Sequence, residues 1–557
     1  MVSVEAKRLN LLTINNLSIS SMDKKLVNNF SFSVEESEIV GMVGESGSGK
    51  SICCYSFLNL LPPSLKIGGK LFWKGQQIDG EKEKIALRGH EISFVFQEPM
   101  SALNPSMTLG NQLKEVYQRN NPTISNSEAK RKSIQSLIEV KIPNPESIFE
   151  RYPHQISGGQ QQRVCLAMAL AAQPQLIIAD EPTTALDVCI QAEMMDLLKE
   201  IIANRKNTSR PLSLLFISHD LPLVASICDR MMVLRKGELV EQGTTSKIMN
   251  NPKHDYTRGL ILTKPKLGEK PHRLLTVEDV IQGKSIDKNI KEKIESDHSI
   301  LFSINNLSVE YSEKKSLFSQ PSFFKALDSI SFEISKNKTL GIVGESGSGK
   351  STLAKTLIGL QQPSSGNILW KEKNTQSFSQ SELNDFRKSV QYIFQNPDSA
   401  LNPRLTIRQA LIEPRKIHFN ETESDTLKKV LEIIELVGIN KNEISKYPHQ
   451  FSGGQKQRMV IARALMMEPE TLILDESVAA LDVSVQAQVL NLLNDLKDQL
   501  RLTYIFISHD LSVVQYFCDE ILVLNKGKIE EFQPSMDLFN HPKSLYTQNL
   551  LRSIPTW

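Results

Sequence analysis

The feature that most constrains this chain is an eight-residue stretch that occurs twice. Gly44-Glu45-Ser46-Gly47-Ser48-Gly49-Lys50-Ser51 recurs letter for letter as Gly344-Glu345-Ser346-Gly347-Ser348-Gly349-Lys350-Ser351. Each copy follows a short apolar run (39–43; 340–343) and opens into a helix-like run (52–60; 352–360) that starts with Ile52 or Thr352. Strand, glycine-rich loop, helix is the setting in which G-x-x-x-x-G-K-[ST] cradles phosphate. Glycines let backbone N–H groups converge on phosphate oxygens, and the helix N-terminus adds partial positive charge. Lys50 and Lys350 are placed to reach the β- and γ-phosphates of a nucleotide such as ATP, and the hydroxyls of Ser51 and Ser351 to ligate Mg²⁺. A Gly/Ser turn with a solvated lysine is the plainer reading of one copy; two identical copies in one context argue against it.

A chain of 557 residues has room for several domains with proper cores. Its 65 basic and 63 acidic residues leave a net charge of +2, which carries no bias toward nucleic acid or a membrane surface. Residues 1–12 lack the long apolar core of a signal peptide. The apolar run 164–172 falls far short of the ~20 residues that a membrane span needs. The chain is therefore expected not to cross a bilayer. Six cysteines (Cys53, Cys54, Cys165, Cys189, Cys228, Cys518) show no C-x-x-C pair or metal-ligand spacing, and read as buried thiols in a reducing compartment.

The repetition extends well beyond the loop. Phe96-Gln97-Glu98-Pro99 answers Phe394-Gln395-Asn396-Pro397, and Ser157-Gly158-Gly159-Gln160 answers Ser452-Gly453-Gly454-Gln455. Asp180-Glu181 answers Asp475-Glu476, and Ser218-His219-Asp220 answers Ser508-His509-Asp510. The spacing between copies shrinks slowly along the chain, as a duplicated domain with small loop deletions produces. These motifs place one domain at 1–264 and a second at 300–557. The stretch 265–299 between them, rich in Lys, Glu, Asp and Gly, reads as an extended, mobile linker. In each copy short apolar runs alternate with helical patterns, predicting an α/β fold with a mainly parallel sheet core and a helical insert. In the second insert Leu427, Val430, Leu431 and Ile434 share one helix face, and Gly438 is placed to end the helix.

The repeated polar residues fit one chemistry. The runs ending in Asp180-Glu181 and Asp475-Glu476 read as buried strands, and in open α/β sheets ligands sit at the carboxyl ends of strands. Asp180 and Asp475 are expected to hold Mg²⁺ through water. Glu181 and Glu476 are expected to polarise the water that attacks the γ-phosphate. Gln97 and Gln395 can complete the shell of metal and water. His219 and His509, each after an apolar strand pattern, can contact the γ-phosphate and hold water and Glu together. His154 and His449 are assigned to packing, and His90 has no counterpart. Ser157-Gly158-Gly159-Gln160 and Ser452-Gly453-Gly454-Gln455 each precede a helical run and make a second anion site. A domain with a complete phosphate loop has no evident use for it, unless it closes over the nucleotide held by the other copy.

This set of motifs, with the turns Ala185-Leu186-Asp187 and Ala480-Leu481-Asp482, resembles the ATPase domain of ABC transporters over nearly the whole chain. Within that family, the stretch from Gln97 to Pro105, its counterpart from Gln395 to Pro403, and the Tyr256-Thr257 and Tyr546-Thr547 tails resemble the oligopeptide, dipeptide and nickel importers. The fused form is similar to glutathione and microcin-type peptide importers. The resemblance implies an ATP-hydrolysing motor on the cytoplasmic face of the membrane. Its partners are two permease subunits and an extracytoplasmic solute-binding protein, with no nucleic acid. The two copies are implied to meet head-to-tail within the chain, each ATP lying between one phosphate loop and the other copy's S-G-G-Q. The family also stacks an aromatic on adenine; Tyr311 fits in the second copy, but Ser21 stands there in the first, so weaker nucleotide binding is expected in the first site. The signature's usual leading Leu is Ile156 or Phe451, and Pro182 becomes Ser477. No cysteine lies in either tail after Cys228 or Cys518, so no tail iron–sulfur cluster is expected. The competing class, a soluble twin-ABC ATPase acting on ribosomes or DNA, carries a basic inter-domain arm and lacks the transporter-type tails.

Overall fold

The computed structural model describes residues 9–22, 24–183, 186–284, 299–313, 322–479 and 481–555. Ala185, Ala480 and the linker segment 285–298 lie outside them. The chain divides into two compact units, one formed mainly by residues up to Ile261 and one running from Leu262 to Ile554.

Six strands form the core sheet of the first unit. In spatial order they are Glu238–Thr244, Arg230–Arg235, Ile39–Val43, Ser213–Ser218, Leu176–Asp180 and Ile92–Val95. All neighbours are parallel except the Glu238–Thr244 edge strand. Strands Ile39–Val43, Leu176–Asp180 and Ser213–Ser218 are buried at every residue, as expected for near-continuous apolar runs covered on both faces. The second unit repeats the order with Lys528–Pro534, Glu520–Asn525, Thr339–Val343, Thr503–Ile507, Thr471–Asp475 and Val390–Ile393.

Each unit adds a four-stranded antiparallel sheet that the motif reading did not anticipate. In the first, Lys25–Glu35 pairs with Asn10–Ser20, which pairs with Lys66–Trp73. The inward residues Val27, Phe30, Phe32 and Val34 alternate with more exposed neighbours and pack into one cluster with Cys53, Cys54 and Phe57 of the phosphate-loop helix. One face on the core and one toward water is the usual antiparallel arrangement.

The helical insert is Leu109–Asn120 and Asn126–Glu139 in the first unit, Ile407–His418 and Glu423–Leu436 in the second. The buried stripe of the last helix runs through Val430, Ile433 and Ile434, continuing to Val437, while Leu427 and Leu431 are half-buried on its flank. The stripe is thus rotated slightly from the predicted face, which a stripe some 100° wide accommodates. Gly438 follows the helix with a left-handed φ of 71°, as predicted.

The stretch 265–284, expected to run as extended linker, instead packs within the second unit. Gln515 accepts a hydrogen bond from Gly268 N (2.9 Å), and Lys270 Nζ donates to Cys518 O (2.8 Å). The Asn491 amide bonds both backbone groups of Leu274, accepting from N at 3.0 Å and donating to O at 2.8 Å. Leu274 itself is buried among apolar residues of that unit, and a short helix, Val277–Ile281, follows. One leucine and a few polar anchors were enough to dock a segment whose composition looked solvated.

Candidate nucleotide site

The strand order brings four motifs side by side. In the first unit, strands Ile39–Val43, Ser213–Ser218, Leu176–Asp180 and Ile92–Val95 are consecutive, and their carboxyl ends are in register: Val43 pairs Ser218, Asp180 pairs Ile217 and Val95 pairs Ala179. The phosphate loop, His219, Asp180-Glu181 and Gln97 therefore leave one edge of one sheet. The second unit aligns the same four.

Each phosphate loop ends in the helix it was predicted to open, Lys50–Phe57 or Lys350–Leu357. Gly47 and Gly49 have φ of 73° and 100°, and Gly347 and Gly349 have 80° and 108°, a region L-residues avoid. Lys50 Nζ is buried and donates to Gly44 O (2.8 Å) and Glu45 O (3.0 Å); Lys350 makes the same pair at 2.8 Å each. Burial holds the Lys350 ammonium below its ordinary range, with surrounding acidic groups, Glu476 foremost, opposing the shift.

Ser51 Oγ donates to Asp180 at 3.0 Å, and Ser351 is hydrogen-bonded to Asp475. Burial raises the carboxyls of Asp180 and Asp475 above the usual range, against the hydrogen bonds that lower them. The hydroxyl and carboxylate so paired are both oxygen donors, which fits a hard cation such as Mg²⁺.

Glu181 and Glu476 each lie between a glutamine and a histidine. Gln97 Nε2 donates to Glu181 at 3.0 Å and Gln395 Nε2 to Glu476 at 2.6 Å. His219 Nδ1 lies 3.2 Å from Glu181 and His509 Nδ1 3.7 Å from Glu476. The contact with His509 holds Glu476 below the ordinary carboxyl range. Burial disfavours the charged imidazole of His509, but Glu476 outweighs it and raises the His509 pKa. Such a carboxylate, fixed between an amide and an imidazole, can accept a proton from water at the sheet edge.

Ser157 and Ser452 cap the helices Gly158–Ala171 and Gly453–Leu465. Each hydroxyl accepts from the N–H of Gln160 or Gln455 at 3.4 Å, and those glutamines accept from the serine N–H groups in return. Ser157, Gly158, Ser452 and Gly453 are exposed, so both helix starts present N–H groups to solvent. The second glycine of each pair serves packing instead: a Cβ on Gly159 falls 2.8 Å from Ile190 Cγ2, and one on Gly454 falls 2.2 Å from Val485 Cγ1.

Other predicted residues sit more plainly. Tyr311 is 38% exposed on strand Ile300–Glu313, and Ser21 bonds the Lys24 carbonyl in a turn. His154 and His449 are exposed and stack on Tyr152 and Tyr447, rather than packing inside. Among the described residues the six cysteines are free, and five are buried. Ser477 Oγ is buried without a partner among the described residues, and nothing in the structure explains the change from Pro182.

Sequence reasoning missed two tyrosines. Tyr55, on the phosphate-loop helix, donates to Asp180 at 3.4 Å, whereas Tyr392, on strand Val390–Ile393, donates to Asp475. Their counterparts by position are Lys355 and Phe94, so each unit puts a phenol on the same carboxylate from a different element. Comparing the copies for identity conceals a function carried by non-equivalent positions.

Comparison with known proteins agrees with this geometry. The ABC transporter family model matches residues 27–184 and 327–479. The chain belongs to the ABC transporter family. This ABC ATPase has two nucleotide-binding domains in tandem, binds ATP with Mg²⁺, and hydrolyses it. A second model, the oligopeptide/dipeptide transporter C-terminal region, matches residues 240–284. The chain is 37% identical to the glutathione import ATP-binding protein GsiA of Escherichia coli (strain K12), over 98% of this chain and 90% of that protein. It is 38% identical to the peptidoglycan transport ATP-binding protein YejF of Agrobacterium fabrum, over 97% and 96%. Among solved structures, CbiO1 of Clostridium perfringens, part of the cbiONQ complex, is 29% identical with a TM-score of 0.39, covering 43% of this chain and 91% of that one. Among the described residues no helix is long and apolar enough to cross a membrane.

Proposed function

We propose that this ABC ATPase is the motor of an importer for peptides or peptide-like solutes. It works at the cytoplasmic face of the cell membrane on two separate permease subunits, which receive solute from an extracytoplasmic binding protein. The observation that carries this reading is the match of 240–284 to the oligopeptide/dipeptide transporter C-terminal region, in a chain whose two copies each bond a Gln to the Glu at the strand end. The names of GsiA and YejF support the same solute class.

In this proposal each ATP is held by the phosphate loop of one copy (44–52 or 344–352) and capped by the S-G-G-Q of the other. Two exposed helix starts, each with an N-capping serine and an unobstructed first glycine, are suited to bind a γ-phosphate brought to them. Ser51 with Asp180 and Ser351 with Asp475 would hold Mg²⁺, which would supply charge neutralisation to the phosphates. Glu181 and Glu476 take the proton of the attacking water, Gln97 and Gln395 orient them from one side, and His219 and His509 from the other. Capping closes the two copies and hydrolysis reopens them, and that stroke is passed to the permeases.

The test is reconstitution with the co-encoded permeases in lipid discs. A solute-binding protein loaded with peptide is expected to raise ATP turnover at least several-fold over the unloaded protein. Turnover indifferent to permease and binding protein, together with co-sedimentation of the chain with ribosomes, overturns the reading. Gly158→Asp, placing a carboxylate where the γ-phosphate is to be met, is expected to silence hydrolysis at the site containing Lys350.

A further inference from the structure

The tail of each domain makes the same unusual contact with its own phosphate loop. In the first unit Glu241, on the edge strand Glu238–Thr244, accepts hydrogen bonds from Lys253 N (2.8 Å) and His254 N (3.1 Å). In the second, Glu531 accepts from Lys543 N (2.9 Å) and Ser544 N (3.2 Å). This clamp fixes the turn that leads into the last helix of each domain. The tyrosine N–H then donates to His254 Nδ1 in one copy and to Ser544 Oγ in the other, both at 3.1 Å. Different side chains thus build one turn, and that turn delivers one atom. The phenol oxygen of Tyr256 accepts from Glu45 N at 3.2 Å, and that of Tyr546 from Glu345 N at 3.1 Å.

The peptide so held, Gly44–Glu45 or Gly344–Glu345, also receives the phosphate-loop lysine, since Lys50 Nζ donates to Gly44 O and Lys350 Nζ to Gly344 O, each at 2.8 Å. The carbonyl of the next peptide is anchored too: Glu45 O accepts from Lys50 Nζ at 3.0 Å and from Ser48 N at 3.1 Å, and Glu345 O from Lys350 Nζ at 2.8 Å and Ser348 N at 3.1 Å. Gly44 is wedged there, since an added Cβ falls 2.3 Å from Leu234 O, whereas one on Gly47 meets nothing within 4 Å among the described residues. The loop is therefore pinned at its entrance and open at its crest. Tyr256 is fully buried with the Arg235 guanidinium over its ring at 4.9 Å. Packing alone asks only for a phenyl ring, and a buried hydroxyl is costly unless bonded.

We propose that Tyr256 and Tyr546 are positioning residues for the phosphate loops, so that each C-terminal tail sets the nucleotide affinity of its own domain. The tyrosine holds the Gly44–Glu45 or Gly344–Glu345 peptide in the orientation from which the lysine and the later N–H groups face a phosphate. Without the hydroxyl that peptide loses its N–H anchor and its orientation loosens, so part of the loop must be ordered again each time nucleotide binds.

This rests on the nucleotide reading of the site, and the experiment separates the two. The full chain carrying Glu181→Gln and Lys350→Ala leaves a single, non-hydrolysing site, and its binding of ATP with Mg²⁺ is measured by calorimetry. Failure of that parent to bind ATP counts against the nucleotide reading itself. Given binding, adding Tyr256→Phe is expected to raise the Kd about fivefold, the equivalent of one ordinary hydrogen bond. The melting temperature without nucleotide is expected to move by less than about 2 °C. Tyr546→Phe in the mirrored background, Glu476→Gln with Lys50→Ala, is expected to do the same. With both sites otherwise intact, Tyr256→Phe with Tyr546→Phe is expected to raise KM and leave kcat. An unchanged Kd in both backgrounds overturns the proposal. So does a loss of affinity matched by a proportionate fall in the nucleotide-free melting temperature, which marks the phenol as a fold contact only.

Discussion

Glu181 and Glu476 have left-handed backbones, with φ of 45° and 48°. A non-glycine residue pays strain for that conformation, and it persists where the surroundings impose it. Here the N–H groups of Glu181 and Glu476 donate to Ile217 O and Ile507 O of the neighbouring strand, turning each carboxylate toward its Gln and His. Replacing both glutamates by glutamine is expected to lower phosphate release about a thousandfold, within the range typical of a lost general base. ATP binding by calorimetry should survive; turnover retained in the double variant refutes the assignment. The Glu476–His509 pair also makes a pH prediction. Glu476 is held below its ordinary range and His509 above the ordinary 6.5. His509 thus adds stability that is full below its unfolded pKa and is lost as pH rises through its raised folded value. Glu476 adds stability that is present above its unfolded pKa and is lost as pH falls through its depressed one. The imidazole resonance of His509 should titrate above 6.5 and shift downward in Glu476→Gln, as read by NMR.

The signature helices show how an element divides labour between neighbouring glycines. In Gly453–Leu465 the first glycine sits at the exposed start, with its nearest would-be Cβ neighbour 3.9 Å away at Leu481. The second is pressed against Val485, a stiff β-branched side chain on the helix Val483–Leu500. Gly454→Ala is expected to destabilise the second unit by about 2 kcal/mol through overpacking, measured by chemical unfolding. Gly453→Ala should leave stability within about 1 kcal/mol, since alanine favours a helix and meets no obstacle there. Its steady-state ATP turnover should nevertheless fall, because the methyl group stands at the helix start that is to receive phosphate. Equal effects of the two substitutions on stability would contradict this division.

For the whole molecule, near-identical sets of polar residues at the two sheet ends are carried on unequal surroundings. Tyr311 is exposed at the position where the resemblance expects an aromatic, while Ser21 is occupied with a turn. ATP affinity of the first site, measured in the full chain with Lys350→Ala, is expected to be about fivefold weaker than that of the second measured with Lys50→Ala, following a stacking term of ~1 kcal/mol. The docking of 265–284 predicts that Leu274→Ala lowers the stability of the second unit by about 3 kcal/mol in denaturant titration, as removal of a buried leucine does.

How much of this was legible follows from where each signal is stored. Residues whose chemistry depends on local backbone, such as the phosphate loops, the Asp-Glu strand ends and the capped S-G-G-Q helices, announce themselves in short contiguous motifs. Two copies made those motifs mutually confirming, and so the parallel α/β core, the nucleotide chemistry and the family were readable from the amino acids alone. The phenols on Asp180 and Asp475, the tail tyrosines on the phosphate loops and the docked strap at Leu274 were not. Each joins residues far apart in sequence through a single side chain. A lone tyrosine or leucine carries no pattern until strand order and burial decide what lies beside it.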